Sequence, residues 1–276
     1  MSEGAGALKD LSSHFAFGEN WASYAATIDE ARIAEAEKAL VHLLGQDGLV
    51  GKSFLDIGCG SGLHSLAASR LGASRIVAFD IDPQSVETTR AVLRERAPAL
   101  AFDAQAFSVF DLTPQAFDSF DVVYSWGVLH HTGAMHEALT KAAAAVAPGG
   151  LFAFALYRRT RMCGFWRLEK RWYSQASPRA QRAARAVYTR LMQLAFQATS
   201  RDFYAYVANY QSQRGMNFQH DVHDWMGGYP YESIGAAEVE AFMRTLGYTH
   251  VRSFTRPLSL GLFGSGCDEY VYRRTA

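Results

Sequence analysis

The feature that most limits how this chain can fold is a regular alternation of apolar runs and helical segments between Gly51 and Tyr157. The apolar runs read SFLDIG, RIVAFD, AFSVFD, FDVVYSWGVL and LFAFALY. The helical segments read SLAASRLG, PQSVETTRAVLRERA and MHEALTKAAAAVAPGG, and Pro148-Gly149-Gly150 is expected to stop the last of them. Strands that alternate with helices become parallel neighbours, with helices on both faces of the sheet. The pattern therefore predicts a doubly wound α/β fold with five parallel strands.

After Tyr157 the alternation stops, and residues 158–233 are predicted to form a helical insertion without strands. Its last part, RGMNFQHDVHDWMGGYPYE from Arg214 to Glu232, is too polar and too broken for a core helix or strand, so we expect a loop there. A helix, AAEVEAFMRTLGY, and two strands, HVRSFTRPL and GCDEYVYRR, follow. The two strands are expected to form an antiparallel hairpin that completes a seven-stranded, Rossmann-like sheet.

The composition narrows the setting in which such a chain works. No apolar run approaches the roughly 18 residues that span a bilayer. The N-terminus, MSEGAGALKD, has no basic region followed by an apolar one, so it does not resemble a signal peptide. The cysteines Cys59, Cys163 and Cys267 are widely separated and form no pair typical of a disulfide framework. We therefore expect a cytoplasmic location.

The charges cancel overall, since 27 basic residues face 27 acidic ones, but they are unevenly spread. Between Tyr157 and Arg190 the only acid is Glu169. The ten bases of this segment are Arg158, Arg159, Arg161, Arg167, Lys170, Arg171, Arg179, Arg182, Arg185 and Arg190. Ten minus one leaves a local charge of +9, which can attract an anionic partner, although a solvated helical face is an equally open interpretation.

A glycine motif, LDIGCGSGLHS, stands where the first strand turns into the first helix. Gly58, Gly60 and Gly62 form G-x-G-x-G, which permits a tight turn and leaves the backbone open to a ligand. The dinucleotide spacing G-x-G-x-x-G is absent because position 63 is Leu, and the Gly-Lys-Ser/Thr of a P-loop is absent too.

Two acids accompany the glycines. Asp56 precedes them, where a carboxylate can bind an ammonium group or position the turn. Asp80 ends the second strand, where its oxygens can accept both hydroxyls of a ribose. The combination LDIGCGSG, AFDIDP, SVFD, FDVVYSWGVLHH and APGG resembles class I S-adenosylmethionine-dependent methyltransferases. It is most similar to the small-molecule branch that includes the quinone-biosynthesis O-methyltransferases, and the resemblance covers roughly Gly51 to Tyr157 and the terminal hairpin.

The resemblance implies S-adenosyl-L-methionine as the cofactor and assigns roles to individual positions. The positions implied to surround its methionine part are Asp56, Gly58, Cys59, Gly60 and Gly62. Asp80 is implied to bind the ribose, and Ile81 to flank the adenine. Ser108 and Val109 fall where the family lays the edge of the adenine. Many members have Gly-Asp there, and this chain has Phe107-Ser108 instead, with Asp111 as a substitute. Ser125 and Trp126, at the end of the fourth strand, are implied to line the sulfonium.

The resemblance also suggests four regions. Residues 1–50 form an N-terminal helical lid, 51–157 the cofactor-binding core, 158–233 the helical insertion with an acceptor cap, and 234–276 the last helix and hairpin. The lid would place Phe15, Trp21 and Tyr24 over the cofactor. Packing of this aromatic segment against the sheet edge is the alternative.

Methyl transfer from a sulfonium is an in-line displacement, and a hydroxyl acceptor also needs a general base. The carboxyl ends of strands four and five are where an open α/β sheet binds ligands, so His130 and His131, directly after strand four, are candidates. His220 and His223 are the others, because Asp221 and Asp224 beside them could form a His-Asp couple. Alternatively, these histidines only hold the loop in shape, and a metal site is the weakest interpretation, since two histidines fall short of a closed site.

The expected acceptor is a small molecule, which the arginines allow to be anionic or lipid-linked. The residues that could contact it are Tyr210, Arg214, Trp225, Tyr229 and Tyr231. The leading hypothesis is methylation of a hydroxyl on a sugar, a phenol or a natural-product intermediate, with no metal. N- or S-methylation, a non-catalytic S-adenosylmethionine-binding protein and peripheral membrane contact through the basic insertion remain open. Nucleic-acid binding is not expected, because strand four ends in YSWGVLHH and not in the Asn/Asp-Pro-Pro-Tyr/Phe of base-amino methyltransferases.

Overall fold

The computed structural model describes residues 18–113, 117–210 and 218–275. Seven strands form one sheet in the order β3-β2-β1-β4-β5-β7-β6. The strands are β1 (Ser53–Ile57), β2 (Arg75–Asp80), β3 (Phe102–Ala106), β4 (Phe120–Trp126), β5 (Val146–Tyr157), β6 (Tyr248–Phe254) and β7 (Cys267–Arg274). β1 to β5 pair in parallel, while β7 pairs antiparallel with both β5 and β6. The predicted fold class, a doubly wound sheet completed by an antiparallel hairpin, is confirmed.

Ten helices surround the sheet or form the insertion in the described part of the chain. They are α1 (Gly18–Ala25), α2 (Glu30–Leu44), α3 (Leu63–Arg70), α4 (Pro83–Arg96), α5 (Met135–Ala144), α6 (Cys163–Gln175), α7 (Pro178–Ala198), α8 (Phe203–Ala208), α9 (Phe218–Gly227) and α10 (Ala236–Thr245). No helix among the described residues is both long enough and apolar enough to cross a membrane.

Alternation along β1 distributes the core over the two faces of the sheet. Phe54 packs with the apolar residues of α2, α3 and α4 on one face, and the next residue, Leu55, packs with those of α5 and α10 on the other. Successive side chains of a strand point to opposite faces, so each strand contributes to both cores. The open sheet therefore has a topological switch point between β1 and β4, where connections leave in opposite directions.

Two predicted elements are shifted along the chain. The sequence predicts the third strand over AFSVFD, but β3 ends at Ala106 and Val109–Asp111 form a short 3-10 turn. The Ser108 side chain accepts a hydrogen bond from the Phe110 N–H, and this local bond favours the turn over an extended strand. The helix expected to stop at Pro148 ends at Ala144, and β5 already begins at Val146.

The helical insertion has a small core of its own. The residues that build it are Tyr173, Phe196, Phe203, Tyr210, Phe218, Val222 and Met226. The expectation of a loop across the polar stretch is wrong for its second part, because α9 covers Phe218–Gly227. Phe218, Val222 and Met226 repeat every four residues and point into this core, while the polar residues between them occupy the other side. The stretch is therefore an amphipathic helix, whose short length disguises its period.

Candidate active site

The glycine motif forms the turn from β1 into α3 in backbone conformations that glycine adopts readily. Gly58, Gly60 and Gly62 have φ values of +78°, +54° and +76°. A Cβ at Gly58 would lie 2.4 Å from the Val128 side chain, so this position also lacks space for any larger residue. The backbone thus passes closely between the carboxyl ends of β1 and β4, the edge where a ligand of such a sheet binds.

Asp80 ties the end of β2 to the glycine turn. One of its oxygens accepts a hydrogen bond from the Gly60 N–H at 3.1 Å, and the other accepts one from the Asp82 N–H at 3.0 Å. Burial is the largest cause that raises the pKa of Asp80, to about 6. Carboxylate oxygens can accept several hydrogen bonds each, so Asp80 can still receive those of two hydroxyl groups.

Asp56 lies deeper, on β1. Its Oδ2 accepts a hydrogen bond from the Ser65 hydroxyl at 2.6 Å, and only 2% of the residue is exposed. Burial raises the pKa of Asp56 to about 7, against the effect of Ser65, and the neighbouring charge of Asp80 adds to the rise. A cationic group bound at this turn would lower the cost of ionising the carboxyl.

The other cofactor-site candidates are held mainly by contacts within the protein. Cys59 is buried, its Sγ accepts a hydrogen bond from Thr89, and burial raises the pKa of its thiol, so it is not a reactive cysteine. Ser108 caps the 3-10 turn, and the Val109 side chain lies in the core, so only the backbone of this turn can meet an adenine. Ile81 is half-buried beside Asp80.

The two residues at the end of β4 point to different partners. Ser125 is buried and its hydroxyl donates to the Ile57 carbonyl, which holds the ends of β4 and β1 together. Trp126 is 43% exposed, and its Nε1 donates to Glu269 at 3.2 Å. Asp111, the substitute for the missing acid after β3, is exposed.

The N-terminal aromatic segment contributes a ring to this site. A Cβ at Gly60 would lie 3.1 Å from the Trp21 ring, so α1 places that ring directly beside the glycine turn. Tyr24, in contrast, packs with the core formed by α2, α3 and α4. Trp21 thus lies beside the glycine turn and Tyr24 in the core, while Phe15 lies outside the described residues.

His131 lies in a short turn, Leu129–His131, that follows β4. Its Nδ1 is 2.8 Å from the Pro230 carbonyl oxygen. A carbonyl can only accept, so Nδ1 carries the hydrogen, and Nε2 of the neutral ring is the nitrogen that can take up a proton. Gly228 makes room for this ring, because a Cβ there would be 2.7 Å from its Cε1.

His130 is fully buried next to it and is held differently. Its Nδ1 accepts a hydrogen bond from the Tyr157 N–H at 3.1 Å, so Nε2 carries the hydrogen of the neutral ring. Burial, followed by the charges of His131 and Lys170, holds the pKa of His130 well below its usual range. This histidine is therefore a neutral donor and not a proton acceptor.

The second pair of candidates lies on α9 and faces the insertion. The Nδ1 of His223 accepts a hydrogen bond from Arg185 at 2.9 Å and lies 2.7 Å from the Tyr173 hydroxyl. Asp221 accepts a hydrogen bond from the Tyr210 hydroxyl. Both predicted residues thus contact partners inside the insertion. The side chains of His220 and Arg214 lie outside the described residues.

Tyr157, at the end of β5, is the ring where the sheet and the insertion meet. Its centroid lies 3.8 Å from that of His130, 5.4 Å from that of Trp225 and 5.3 Å from that of Tyr231. Tyr231 is buried and its hydroxyl donates to Cys163, while Tyr229 is half-buried. Burial is the first cause that raises the pKa of Tyr157. The sequence analysis does not single out Tyr157, although its place at the end of strand five is a usable signal.

Among the residues that the structure describes, no three His, Cys, Asp or Glu side chains lie close enough together to hold a metal ion. The site therefore consists of a glycine turn flanked by two acids and, across the ends of β4 and β5, a histidine beside an aromatic cluster.

Residues 55–154 match the family model described as a methyltransferase domain. This part of the chain is therefore similar to a methyltransferase domain. The match contains the glycine turn, Asp80 and both histidines after β4. It ends before the insertion, which lies outside the matched residues.

Curated relatives share this domain but differ in what they act on. A ubiquinone biosynthesis O-methyltransferase of Methylobacterium sp. (strain 4-46) is 34% identical over 117 residues, which are 42% of this chain and 45% of the relative. A ribosomal protein L11 methyltransferase of Photobacterium profundum is 52% identical over 46 residues, 17% of this chain and 15% of the relative. The chain thus spans less than half of the length of these relatives, and the similarity leaves the acceptor open.

Solved structures show that the fold extends beyond the matched domain. The magnesium protoporphyrin IX methyltransferase of Synechocystis PCC 6803, crystallised with S-adenosylhomocysteine, superposes with a TM-score of 0.52 at 12% identity. The superposition covers 89% of this chain and 84% of that structure. At this identity the likeness concerns the fold alone.

Proposed function

We propose that this protein is an S-adenosylmethionine-dependent methyltransferase that methylates a hydroxyl group of a small molecule. The observation that carries the proposal is the hydrogen bond between His131 and the Pro230 carbonyl, which leaves Nε2 as the basic nitrogen. The turn that holds His131 follows β4, at the sheet edge where the methyltransferase domain binds its substrates. A hydroxyl acceptor needs such a base, whereas a neutral amine or a thiolate does not.

S-adenosyl-L-methionine is the expected cofactor of the domain, and its residues fit that molecule. The cofactor supplies an activated methyl group bound to a cationic sulfur. Gly58 and Gly60 allow the tight turn at the end of β1, Asp80 can accept hydrogen bonds from ribose hydroxyls, and Asp56 complements a cationic amino group. The Trp21 ring beside Gly60 would exclude water from one side of the bound molecule.

The acceptor would enter between the histidine turn and the cap that the insertion provides. Tyr157, Trp225 and Tyr231 form an aromatic wall suited to a ring or a sugar face. The wall aligns the acceptor and excludes water, which are the main tasks of the protein when the leaving group is already good. His131 would then take the hydroxyl proton, so that the oxygen becomes a better nucleophile.

Replacement of His131 by glutamine tests this mechanism. We expect His131→Gln to reduce kcat/KM by about 100-fold, the usual contribution of a general base, without changing the affinity for S-adenosylhomocysteine. The assay measures S-adenosylhomocysteine release with a panel of phenols, catechols and sugars.

His250→Gln, an exposed histidine on β6, is the matched control and should behave like the wild type. An unchanged rate in His131→Gln would favour N- or S-methylation instead. Binding of S-adenosylhomocysteine without turnover on any acceptor would favour a non-catalytic protein that binds the cofactor. Failure to bind it would overturn the whole proposal.

We further propose that the protein is cytoplasmic and contacts an anionic membrane surface through its insertion. Twelve large apolar side chains are strongly exposed in the described part of the chain, and ten of them lie in α6, α7, α8 or the loop 258–262. The ten are Phe165, Leu168, Trp172, Val187, Leu191, Leu194, Tyr204, Leu258, Leu260 and Leu262. Apolar patches of this kind mark interaction surfaces.

These residues lie on neighbouring elements. The Trp166 Nε1 donates to the Gly261 carbonyl at 2.7 Å, and the Tyr188 hydroxyl donates to the Phe263 carbonyl at 2.9 Å, so the loop lies beside both α6 and α7. Exposed arginines flank the apolar residues. They are Arg159, Arg161, Arg167, Arg171, Arg179, Arg182 and Arg190. An apolar stripe bordered by arginine is typical of helices that lie in an anionic interface.

Charge favours a bilayer over a second copy of the chain at this surface. An isologous dimer would bring the same basic face against itself, and like charges repel. The groove of about 550 Å³ that Arg182, Arg185 and Arg190 line would suit a lipid phosphate.

Vesicle sedimentation tests this contact. The wild type should bind vesicles that contain phosphatidylglycerol about tenfold better than pure phosphatidylcholine vesicles, and the pair Leu168→Glu and Leu191→Glu should remove the difference. Val50→Glu, an equally exposed apolar residue outside the insertion, is the matched control and should sediment normally. If the double variant sedimented with the vesicles as well as the wild type does, the contact would be refuted. It would also be refuted if the wild type were a dimer that the same two substitutions dissociate.

A further inference from the structure

A buried lysine lies beside the proposed acceptor site. Lys170 on α6 has no exposed surface, and its Nζ lies 3.5 Å from the centroid of the Trp225 ring and 5.5 Å from that of Tyr231. Within the described residues, Nζ has no hydrogen-bond partner. One interpretation of the basic segment around Lys170 is a helical face exposed to solvent. The burial of Lys170 corrects that interpretation for this residue.

Burying a lysine without a hydrogen bond is costly. Contact with an aromatic face recovers only part of the lost hydration. Burial lowers the pKa of Lys170 to about 7, although the charge of the neighbouring Glu169 acts in the opposite direction. The two groups form no salt bridge among the described pairs, and both Glu169 oxygens also lack a hydrogen-bond partner there. Internal pairing therefore does not account for the lysine.

Two further donors around the same aromatic cluster share this property. The Nε2 of His130 and the Nε1 of Trp225 are buried and have no hydrogen-bond partner among the described residues. His130 stacks on Tyr157, Tyr157 contacts Trp225, and Trp225 contacts Lys170, so the three groups surround one aromatic cluster. The charge of Lys170 is also close enough to lower the pKa of His130, after the larger effects of burial and His131.

All three groups donate hydrogen bonds. The ammonium and the indole N–H can only donate, and the His130 Nδ1 already accepts from the backbone, so its Nε2 donates as well. These three groups are donors, in contrast to the neighbouring Glu169 carboxylate, and together they are complementary to a group that only accepts. Such a group is an anionic oxygen, and in a desolvated site it binds most strongly next to an ammonium.

We infer that the acceptor of this enzyme carries an anionic group, a carboxylate or a phenolate on a ring, which binds to Lys170 with His130 and Trp225 as further donors. The inference rests on the proposed methyltransferase function, since it concerns the same proposed acceptor site. Lys170 is thereby a specificity-determining residue. It holds the anion while His131, next to His130, meets the hydroxyl that receives the methyl group.

The experiment compares two ligands that differ in one carboxylate, 3,4-dihydroxybenzoate and catechol. Calorimetry with the S-adenosylhomocysteine complex measures the binding of each. We expect Lys170→Met to weaken the binding of 3,4-dihydroxybenzoate by about tenfold or more and that of catechol by less than about threefold. Lys38→Met, an exposed lysine on α2, removes the same charge as a control and should change neither.

Lys170→Met is expected to fold, because an apolar side chain of similar length avoids the burial of a charge. Lys170→Gln provides a second variant with a neutral donor and should show an intermediate loss for the carboxylate ligand. Equal affinities of the wild type for the two ligands, or equal losses of both in Lys170→Met, would overturn the inference.

The outcome is separable from the proposed function. Selective loss of carboxylate binding without any methyl transfer would support the anion site and refute the enzyme. Methylation of 3,4-dihydroxybenzoate at the wild-type rate in Lys170→Met would support the enzyme and refute the anion site.

Discussion

The α/β core and the helical insertion of this protein follow opposite rules of construction. The core, residues 51–157, hides its apolar residues in two layers and presents backbone and acids at one edge of the sheet. The insertion exposes apolar side chains and arginines on its surface and instead buries a lysine and three tyrosines, Tyr173, Tyr210 and Tyr231. A region that binds a cofactor shared by many enzymes can keep a regular α/β architecture. A region proposed to bind one particular acceptor needs buried polar groups that match that molecule.

The comparison with known proteins divides along the same line. The family match covers residues 55–154, and it ends just before the chain leaves the sheet. The core accordingly supplies what methyltransferases share. We propose that the insertion supplies the groups that select the acceptor and those that contact a membrane.

The strongest test of this contrast removes a large side chain from the core of the insertion. Phe218 is buried against the rings of Phe203 and Tyr210, so Phe218→Ala should cost about 3–4 kcal/mol of local stability. Amide hydrogen exchange should report loss of protection in α6 to α9, with the affinity for S-adenosylhomocysteine changed by less than about twofold.

Leu139→Ala, on α5, is the matched cavity in the core and should weaken both regions together. Loss of cofactor affinity in Phe218→Ala as well would mean that the insertion and the core are one cooperative unit, and the contrast would fail.

A second test uses two glycines with left-handed backbone. Gly58 (φ +78°) would place a Cβ 2.4 Å from Val128, while Gly51 (φ +70°) has nothing within 4 Å of that position. Each alanine should cost about 1–2 kcal/mol for its conformation alone. Gly58→Ala should cost about 1–2 kcal/mol more for the contact, and it should reduce cofactor affinity at least about tenfold. Chemical denaturation and calorimetry measure the two quantities, and equal values for the two variants would remove the special role of the turn.

The smallest expected effect concerns the pH dependence of the cofactor-free protein. Burial raises the pKa of Asp56 from about 4 in the unfolded chain to about 7, so the folded state binds the extra proton between these values. Stability from this group is therefore present at pH 4 and is lost as the pH rises through 7. Asp56→Asn should be the more stable protein at pH 8 and equal to the wild type at pH 4.

The cofactor should respond in the opposite sense, since the same variant lacks the carboxylate that complements a cationic amino group. Thermal unfolding at pH 4 and pH 8, with and without S-adenosylhomocysteine, measures both effects. If Asp56→Asn lowered both the stability and the affinity for S-adenosylhomocysteine at pH 8, the ionised Asp56 would not destabilise the folded protein, and the assignment would be contradicted.

Several elements are predictable from local patterns, and the failures have physical causes. α2 is recognisable from its apolar spacing and the stop at Gly45, and the glycine turn from its residue types. The prediction misplaces β3 because Ser108 makes a local hydrogen bond to the backbone that an apolar run does not reveal. The pattern of α9 resembles a loop because only three apolar residues mark its buried face, among histidines and aspartates.

The sequence by itself determined the doubly wound sheet, the glycine turn and the acids at its edge, because these depend on periodicity and backbone conformation within short segments. Only the tertiary structure decided which histidine presents a basic nitrogen, since that follows from contacts with Pro230 and Tyr157, far along the chain. It also decided that Lys170 is buried among aromatic rings while its neighbouring arginines face solvent. The direction of a side chain on a helix depends on what packs against that helix, and no local pattern records it.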